Sequence, residues 1–224
     1  MTDLLIQRGG AHAVLTLDRA AKKNALSVDL RNEISDALDK LAPDETIKAV
    51  VITGAGDVFS AGFDLKEFPR ALEDEAFATE LWASSDRYHH AVLRFPVPTI
   101  AAVNGPALAG GFDLALLCDI RVASTRAAFA HPEYTFGDVV YGPLHDLVGG
   151  AVARDLAFTG RVVDAEEALA MRLVSQIVEP NDLMTVTLGV VARITKAPRE
   201  ILMRTKAKAL ARAGIAPGTP TLDL

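Results

Sequence analysis

The spacing of apolar positions along the chain alternates between that of buried strands and that of helices. Short apolar runs at Ala49–Thr53 and Thr99–Val103 are typical of strands buried on both faces. From Ser27 to Leu41 the apolar residues recur at helical spacing, and Ser27 is a residue type that caps helices. This alternation predicts an α/β fold with crossover connections between its strands.

Further turn and periodicity signals complete the expected order of elements. Gly9-Gly10 predicts a hairpin between Leu4–Arg8 and Ala13–Leu17. We expect helices over Arg70–Arg94, Ala109–Cys118 and Asp164–Leu173, strands at Ile120–Ala123 and Val174–Val178, and two helices between Asp182 and Ala213 that are broken near Pro198. Residues 137–147 are expected to form a loop, and residues 214–224 are expected to fray.

A four-residue string occurs twice. Gly62-Phe63-Asp64-Leu65 recurs as Gly111-Phe112-Asp113-Leu114, and each copy follows an apolar strand and a turn. A repeated strand–turn–helix unit would stack into a spiral in which each unit covers the apolar face of its neighbour. A repeat and a chance match of four letters both explain the recurrence.

Composition and charge narrow the classes of function. The chain has 224 residues, of which half are hydrophobic, and this suffices for one ordinary globular core. Its formal net charge of −6 disfavours nucleic acid as a partner. Cys118 is the one cysteine, which excludes an intrachain disulfide framework and suggests a buried, inert thiol. Apolar runs are interrupted before membrane-spanning length and the N-terminus lacks a signal pattern, so we expect a cytoplasmic protein without a membrane segment.

The stretch NGPALAGGFDLALLCD (104–119) carries glycines and a carboxylate inside an otherwise apolar run. Glycine weakens a helix interior and a buried carboxylate is costly, so Gly110, Gly111 and Asp113 require a reason. At the start of a helix, the N–H group of Gly110 would have no intrahelical partner and could bind a developing anion. A carboxylate beside such a donor suits proton transfer next to a carbonyl. Alternatively, Asp113 satisfies the helix dipole and the glycines serve packing.

Two further segments carry candidate polar groups. Val58–Lys66 places a glycine after a strand and a turn, although a tight turn capped by Asp64 would look the same. Pro132 fixes the chain just before Glu133, whose alternative role is that of an ordinary solvated acid. His89-His90 has no partner ligands at metal-binding spacing, so no metal site is predicted.

Five motifs in order make the chain resemble the crotonase (enoyl-CoA hydratase/isomerase) superfamily over most of its length. They are DRAAKKNAL, VVITGAGDVFSAGFDLKEF, PTIAAVNGPALAGGFDLALLCDIRVAS, FAHPE and AFTGRVVDAEEALAMRLVSQIV. The resemblance implies an α/β, crotonase-like spiral of repeated ββα units followed by C-terminal helices. It implies a spiral core over residues 1–180 and a C-terminal helical segment over 181–224 that is short for the family. It also implies a homotrimer or a dimer of trimers.

The resemblance further implies an acyl-CoA thioester substrate and no cofactor beyond the coenzyme A that the substrate carries. The backbone N–H groups of Phe63 and Gly110 match the family's oxyanion hole. Asp113 and Glu133 match the two glutamates that hydratases use as acid and base. The matching CoA- and substrate-binding strip comprises Lys23, Ala25, Ala61, Asp64, Leu65 and Lys66, with Lys23 or Lys66 supplying positive charge for the CoA phosphates. Trp82 and Tyr88 are expected in the core or in the acyl pocket.

The leading hypothesis is an enoyl-CoA hydratase of fatty acid metabolism that adds water to a trans-2-enoyl-CoA. Asp113 departs from the family's usual glutamate by one methylene, the 137–147 loop is shorter than usual, and the expected last C-terminal helical segment is missing. An isomerase that needs Glu133 alone and a non-catalytic acyl-CoA binder are the alternatives. In the unusual loop, Asp138, Tyr141 or His145 could serve as a substitute acid or base, which also leaves hydrolase and decarboxylase chemistry open.

Overall fold

The computed structural model describes residues 2–224. Its strands are β1 (Leu4–Gly9), β2 (His12–Leu17), β3 (Ala49–Gly54), β4 (Thr99–Val103), β5 (Ala107–Leu108), β6 (Ile120–Ser124), β7 (Ala128–Ala130), β8 (Val163–Asp164) and β9 (Gln176–Val178). Its α-helices are α1 (Val28–Leu41), α2 (Phe68–Glu73), α3 (Glu75–Leu93), α4 (Gly110–Leu117), α5 (Gly142–Val148), α6 (Gly150–Thr159), α7 (Ala165–Ala170), α8 (Leu183–Ile194) and α9 (Arg199–Ala213).

The main sheet has the strand order β1-β2-β3-β4-β6-β9 within the described residues. The β1–β2 hairpin is antiparallel, as predicted, and the other neighbouring pairs are parallel. The sheet is covered on both faces: Val50 and Ile52 of β3 face the larger core with α1, whereas Val51 packs with Leu183 and Val190 of α8. Burial on both faces explains the unbroken apolar runs of β3 and β4, and the predicted α/β class is confirmed.

A second, smaller sheet with the order β5-β7-β8 lies beside the first. β5 pairs with β7 in parallel, with Leu108 opposite Ala130, and β7 pairs with β8 in antiparallel orientation. These strands have two or three residues each, which is too short for any periodicity to be visible in the sequence.

Side-chain caps fix several helix boundaries. The Oγ of Ser27 accepts a hydrogen bond from the N–H of Leu30 (3.3 Å), as predicted. The N–H of Phe77 donates to Oδ1 of Asp74 at the start of α3 (3.0 Å). This cap divides the helix predicted over Arg70–Arg94 into α2 and α3. The two predicted C-terminal helices are present as α8 and α9, separated at Pro198.

The two copies of GFDL differ in structure, and two expectations from the sequence are wrong in detail. The first GFDL copy, residues 62–65, lies in an extended segment and a turn before α2, whereas the second lies inside α4, so the two are not equivalent helix starts. The 137–147 segment is not all loop, because α5 begins at Gly142 with Pro143 in its first turn. The tail is not frayed: the N–H of Thr221 donates to Oδ1 of Asp86 (2.7 Å) and its side chain is buried.

No helix in residues 2–224 combines the length and the apolar character that a membrane crossing requires. The division into a core over residues 1–180 and a C-terminal segment stays a prediction.

Candidate active site

The predicted site residues lie on four neighbouring chain segments. Leu26 pairs with Phe63 and Ser60 pairs with Ala107 in isolated parallel bridges, and β5 pairs with β7. The segments around residues 23–26, 60–63, 107–110 and 128–131 therefore run side by side in the same direction. Because parallel neighbours end at the same edge, residues that follow each segment meet there.

The N–H groups of Phe63 and Gly110 are free donors on adjacent segments. The pairing with Leu26 uses the carbonyl of Gly62 and the N–H of Asp64, so the N–H of Phe63 faces the other side, towards α4. Neither of the two N–H groups donates to a protein acceptor within residues 2–224. A Cβ built on Gly110 would lie 3.7 Å from the nitrogen of Phe63. Two unpaired amides this close together are what an oxyanion hole requires.

An unusual backbone conformation begins α4. Ala109 has φ +50° and ψ −133°, a combination that disfavours residues with a Cβ. Its N–H donates to the carbonyl of Ala130 (2.9 Å), and its carbonyl accepts from the N–H of Phe112 (2.7 Å) and Asp113 (3.1 Å). These bonds hold the conformation and set where Asp113 lies along β7.

Gly111 allows α4 to pack tightly. A Cβ on this residue would lie 2.3 Å from the carbonyl oxygen of Ser60, far inside van der Waals contact. The two adjacent glycines are thus required for different reasons. Gly111 lets the backbone of α4 approach that of Ser60, and Gly110 exposes its N–H beside Phe63.

A buried cluster joins Asp113, His131 and Glu133. His131 follows β7 and is 1% exposed, and its Nε2 donates to Oδ1 of Asp113 across 2.8 Å. Its ring packs on that of Phe112 at a centroid distance of 4.6 Å. Glu133 stands two residues later in the short turn Pro132–Thr135 and is half-buried. One side-chain nitrogen or oxygen from each of the three lies within 4.8 Å of the others.

His131 is the functional candidate that the sequence reasoning missed. It stands inside the FAHPE motif, but a lone histidine carries little information, and its partner lies 18 residues earlier on another element. Only the pairing of β5 with β7 reveals the contact.

Burial controls the titration of the cluster. It raises the pKa of Glu133 to about 7, with the charge of Asp113 adding to the rise and His131 opposing it. Burial alone would lower the pKa of His131, but the hydrogen bond and charge of Asp113, with the charge of Glu133, outweigh it and raise that pKa. A carboxyl group with a pKa near 7 can both accept and donate a proton at neutral pH.

Two buried atoms of the cluster have no hydrogen-bond partner among the described residues: Oε2 of Glu133 and Nδ1 of His131. Buried polar atoms are normally paired, so these two are ready to bind water or a substrate. By contrast, Oδ1 of Asp113 and Nε2 of His131 are already hydrogen-bonded to each other. The expectation of no metal stays a prediction.

The CoA strip is brought together in part. The N–H of Ala61 donates to the carbonyl of Lys23 (3.0 Å), which aligns the two halves of the strip. Leu65, Lys66 and Lys23 lie at the surface with their side chains exposed. Arg19, which the sequence reasoning also missed, donates to the carbonyl of Ala25 (2.6 Å).

Asp64 has a structural partner. Its carboxylate pairs with Arg19 (3.1 Å), and a backbone bond from Lys66 supports it further. Burial opposes ionisation, but these bonds outweigh it and lower the pKa of Asp64. The side chain of Asp64 is therefore already engaged in holding the strip together.

Other candidates lie apart from the cluster. Within residues 2–224, no hydrogen bond or ion pair joins Tyr141, His145 or Asp138 to it, and His145 is exposed on α5. Trp82 is 38% exposed, whereas Tyr88 is buried and its hydroxyl donates to the carbonyl of Gly110 (3.3 Å). Burial raises the pKa of the Cys118 thiol to about 12, which agrees with an inert thiol.

Two surface cavities, of about 490 and 370 Å³, lie elsewhere. The first is lined by α1 and α3 and the second by β6 and the segment after α7, and neither includes a residue of the cluster. The candidate site is therefore separate from these two cavities.

The chain is similar to known proteins of one family. The family model described as enoyl-CoA hydratase/isomerase matches residues 7–217. The short-chain-enoyl-CoA hydratase of Clostridium acetobutylicum is 35% identical over 191 residues, which are 82% of this chain and 72% of that protein. The crotonyl-CoA hydratase of Syntrophomonas wolfei is 33% identical over 212 residues, 92% of this chain and 81% of that protein.

The fold agrees as well. The crystal structure of enoyl-CoA hydratase from Bacillus anthracis matches with a TM-score of 0.88 at 28% identity, covering 96% of this chain and 85% of that one. The crotonase-like fold expected from the sequence is therefore confirmed. The chain belongs to the enoyl-CoA hydratase/isomerase family of the crotonase superfamily.

Proposed function

We propose that the protein is an enoyl-CoA hydratase that adds water to the double bond of a trans-2-enoyl-CoA thioester. The observation that carries this proposal is the buried Asp113–His131–Glu133 cluster beside the two unpaired N–H groups of Phe63 and Gly110. The relatives named as short-chain-enoyl-CoA hydratase and crotonyl-CoA hydratase support the same reaction.

The proposed chemistry begins with polarisation of the thioester. Its oxygen accepts hydrogen bonds from the N–H groups of Phe63 and Gly110, which become stronger as charge develops on it. Donors of this kind contribute roughly 3–4 kcal/mol each in acyl-transfer sites. A carboxylate removes a proton from water, the water oxygen bonds to the β-carbon, and the α-carbon gains a proton. Glu133 is the primary acid and base, and Asp113 is its partner.

Coenzyme A enters this proposal as part of the substrate, with no further cofactor. Lys23, Ala25, Ala61, Asp64, Leu65 and Lys66 form the proposed CoA-binding strip. The exposed ammonium groups of Lys23 and Lys66 supply the local positive charge that phosphates need on an acidic protein.

A cytoplasmic homotrimer or dimer of trimers is the proposed assembly. Phe136 is 75% exposed and Phe158 is 74% exposed, and subunit contact would remove such aromatic surface from water. The free thiol of Cys118 fits a reducing compartment.

An isomerase is the second candidate, because one observation favours it. The carboxylate of Asp113 is engaged by His131, and double-bond migration needs only one free carboxyl group, that of Glu133. Chromatography of the products from a 2-enoyl-CoA and a 3-enoyl-CoA separates a 3-hydroxyacyl-CoA from a shifted double bond. Rapid turnover of either substrate would exclude a non-catalytic acyl-CoA binder.

The test of the leading proposal is Glu133→Gln assayed on a short trans-2-enoyl-CoA. We expect hydration to fall by about 10²- to 10⁴-fold, the usual contribution of a positioned acid and base. Glu80→Gln, at an exposed position of α3, is the matched control and should leave turnover unchanged. Unchanged turnover in Glu133→Gln would remove this residue from the mechanism, and a wild-type protein inactive on all enoyl-CoA substrates would refute the hydratase assignment.

A further inference from the structure

We infer that His131 is a positioning residue that holds Asp113 as an ionised hydrogen-bond acceptor, so that Glu133 alone exchanges a proton with the substrate. This inference rests on the proposed function for its reaction step. The contact between His131 and Asp113, however, can be tested without turnover.

The position of the imidazole is fixed on several sides. Its ring packs on Phe112 of α4, and its side chain has no exposure. The carbonyl of His131 accepts from the N–H of Tyr134 (3.3 Å), and Pro132 follows directly. The 2.8 Å bond to Asp113 therefore joins two elements whose relative position the β5–β7 pairing has already set.

This hydrogen bond decides which carboxyl group stays charged. Asp113 is 6% exposed, and within residues 2–224 the imidazole is its one side-chain donor. A buried carboxylate is costly unless a partner offsets the loss of water, and His131 provides that partner. Glu133 has no such bond, and its buried Oε2 is unpaired. Asp113 is thus the carboxyl group whose oxygen has a partner, and Glu133 is the one with a buried oxygen free to exchange a proton.

The groups around the cluster are consistent with this division. Besides His131 and Glu133, the titratable groups on which the charge of Asp113 acts are Tyr88 and His89 of α3. His89 is deeply buried, and burial lowers its pKa to about 4, so it is neutral at physiological pH. His131 is the side chain in direct hydrogen-bond contact with the carboxylate, at 2.8 Å.

In the reaction step, one carboxyl group then both takes up and returns the transferred proton. The Glu133 carboxylate takes a proton from water while the water oxygen bonds to the β-carbon. The electron pair of the double bond moves onto the thioester oxygen, held by the N–H groups of Phe63 and Gly110. The Glu133 carboxyl group next returns that proton to the α-carbon as the carbonyl re-forms. Asp113 keeps its charge throughout and accepts the second hydrogen of the water.

Variants at position 131 separate positioning from a general structural role. Alanine removes the donor, whereas glutamine keeps an N–H donor without the charge. We expect His131→Ala to lower kcat by about 10²-fold with KM little changed, as for a catalytic group displaced by about 1 Å. His131→Gln should recover at least about tenfold of that loss. Equal activity of the two variants would overturn the positioning role.

The pH dependence of kcat/KM provides an independent test. In His131→Gln, the acid limb of kcat/KM should move to higher pH by about one unit, because a cation beside Glu133 is lost. In Asp113→Asn it should move to lower pH, because an anion is lost. His145→Gln, at an exposed histidine, should leave the limb in place. A limb that stays fixed in the first two variants would overturn the inference.

A third measurement needs no turnover. Carboxyl ¹³C NMR should show the titration of Glu133 moving in the same opposite directions in His131→Gln and Asp113→Asn. If the wild type hydrates no enoyl-CoA but these shifts occur, the hydratase proposal fails and the positioning contact stands. If hydration is rapid but Asp113 rather than Glu133 titrates near neutral pH, the inference fails and the hydratase proposal stands.

Discussion

The backbone N–H of Ala109 donates to the carbonyl of Ala130 across 2.9 Å and thereby ties the start of α4 to the end of β7. One residue beyond Ala130 stands His131, and one turn into α4 stands Asp113. The bond also holds Ala109 at φ +50°, where a side chain is strained. The placement of Asp113 beside His131 and the backbone strain thus have the same origin.

The strain at Ala109 predicts that glycine would be a better residue there. Ala109→Gly should raise the free energy of unfolding by about 1 kcal/mol, because relief of strain exceeds the entropy that glycine adds to the unfolded chain. For a protein of this size, the melting temperature should rise by about 2–4 °C. Urea denaturation and thermal melting measure the two quantities.

The control for Ala109→Gly is Ala115→Gly in the same helix, where the backbone is helical and the methyl group is buried. That variant should lose about 1 kcal/mol or more. A destabilised Ala109→Gly would show that the alanine methyl is needed for packing and that the strain is small.

The adjacent glycines of α4 predict opposite outcomes on substitution by alanine. In Gly111→Ala the new Cβ meets the backbone of Ser60 at 2.3 Å, so a strand or the helix must move, at a cost of about 1–3 kcal/mol. In Gly110→Ala the Cβ meets ring carbons of Phe63 at 2.7 and 2.8 Å, and that ring can turn aside. The first variant should mainly lose stability and the second mainly kcat/KM.

Melting temperature and kcat/KM, measured together for both glycine variants, check this contrast. A Gly110→Ala protein with full activity would show that the space beside the N–H of Phe63 does not receive the thioester. A Gly111→Ala protein as stable as the wild type would show that α4 can shift away from Ser60 without loss.

The sequence predicts the main sheet well because its strands are buried on both faces, and burial leaves an unbroken apolar run such as Ala49–Thr53. The sequence also predicts Asp113 and Glu133 as candidate acid and base, because each lies in a motif and the order of the motifs along the chain is specific. It cannot reveal the partner of Asp113, because that contact depends on β5 and β7, which have two and three residues. The donor itself, His131, is visible only as a single letter between an alanine and a proline.

The tail and the first GFDL copy show the same limit of prediction from local sequence. Residues 214–224 read as polar turns, yet Thr221 is buried by contacts with α3 that are more than 130 residues away in sequence. Gly62–Leu65 has the letters of a helix start, but its pairing with Leu26 keeps it extended. In both cases a tertiary partner overrides the local signal.

The raised pKa of Glu133 makes stability depend on pH. Because its pKa in the fold is about 7, well above the value in the unfolded chain, the unfolded state binds fewer protons between about pH 4.5 and 7. Stability contributed by this group is therefore lost as the pH rises through that window. Glu133→Gln, which stays neutral, should match the wild type near pH 5 and exceed it at pH 8 by about 1–2 kcal/mol, since water partly screens the half-buried carboxyl group.

Urea unfolding of both proteins at pH 5 and pH 8 measures this difference, and the exposed Glu80→Gln is the control. The pKa of His131 is also raised, so this residue adds a pH dependence of the same sign to the free energy of unfolding of both proteins. That contribution largely cancels when the two proteins are compared. A Glu133→Gln variant whose advantage is the same at both pH values would mean that Glu133 titrates as an ordinary surface acid.

Thr221 predicts how the tail is held against α3. Its Oγ1 lies 3.1 Å from Oγ of Ser85 and 3.0 Å from Nδ1 of His89, all buried. Thr221→Val keeps the shape but leaves those polar partners without a hydroxyl, at a cost of about 1–3 kcal/mol. Hydrogen exchange of residues 219–224 should therefore rise about tenfold or more. Thr219→Val, whose hydroxyl is exposed, should leave it nearly unchanged. Equal exchange in both variants would mean that the tail is held without the Thr221 hydroxyl, by contacts such as the backbone bond to Asp86.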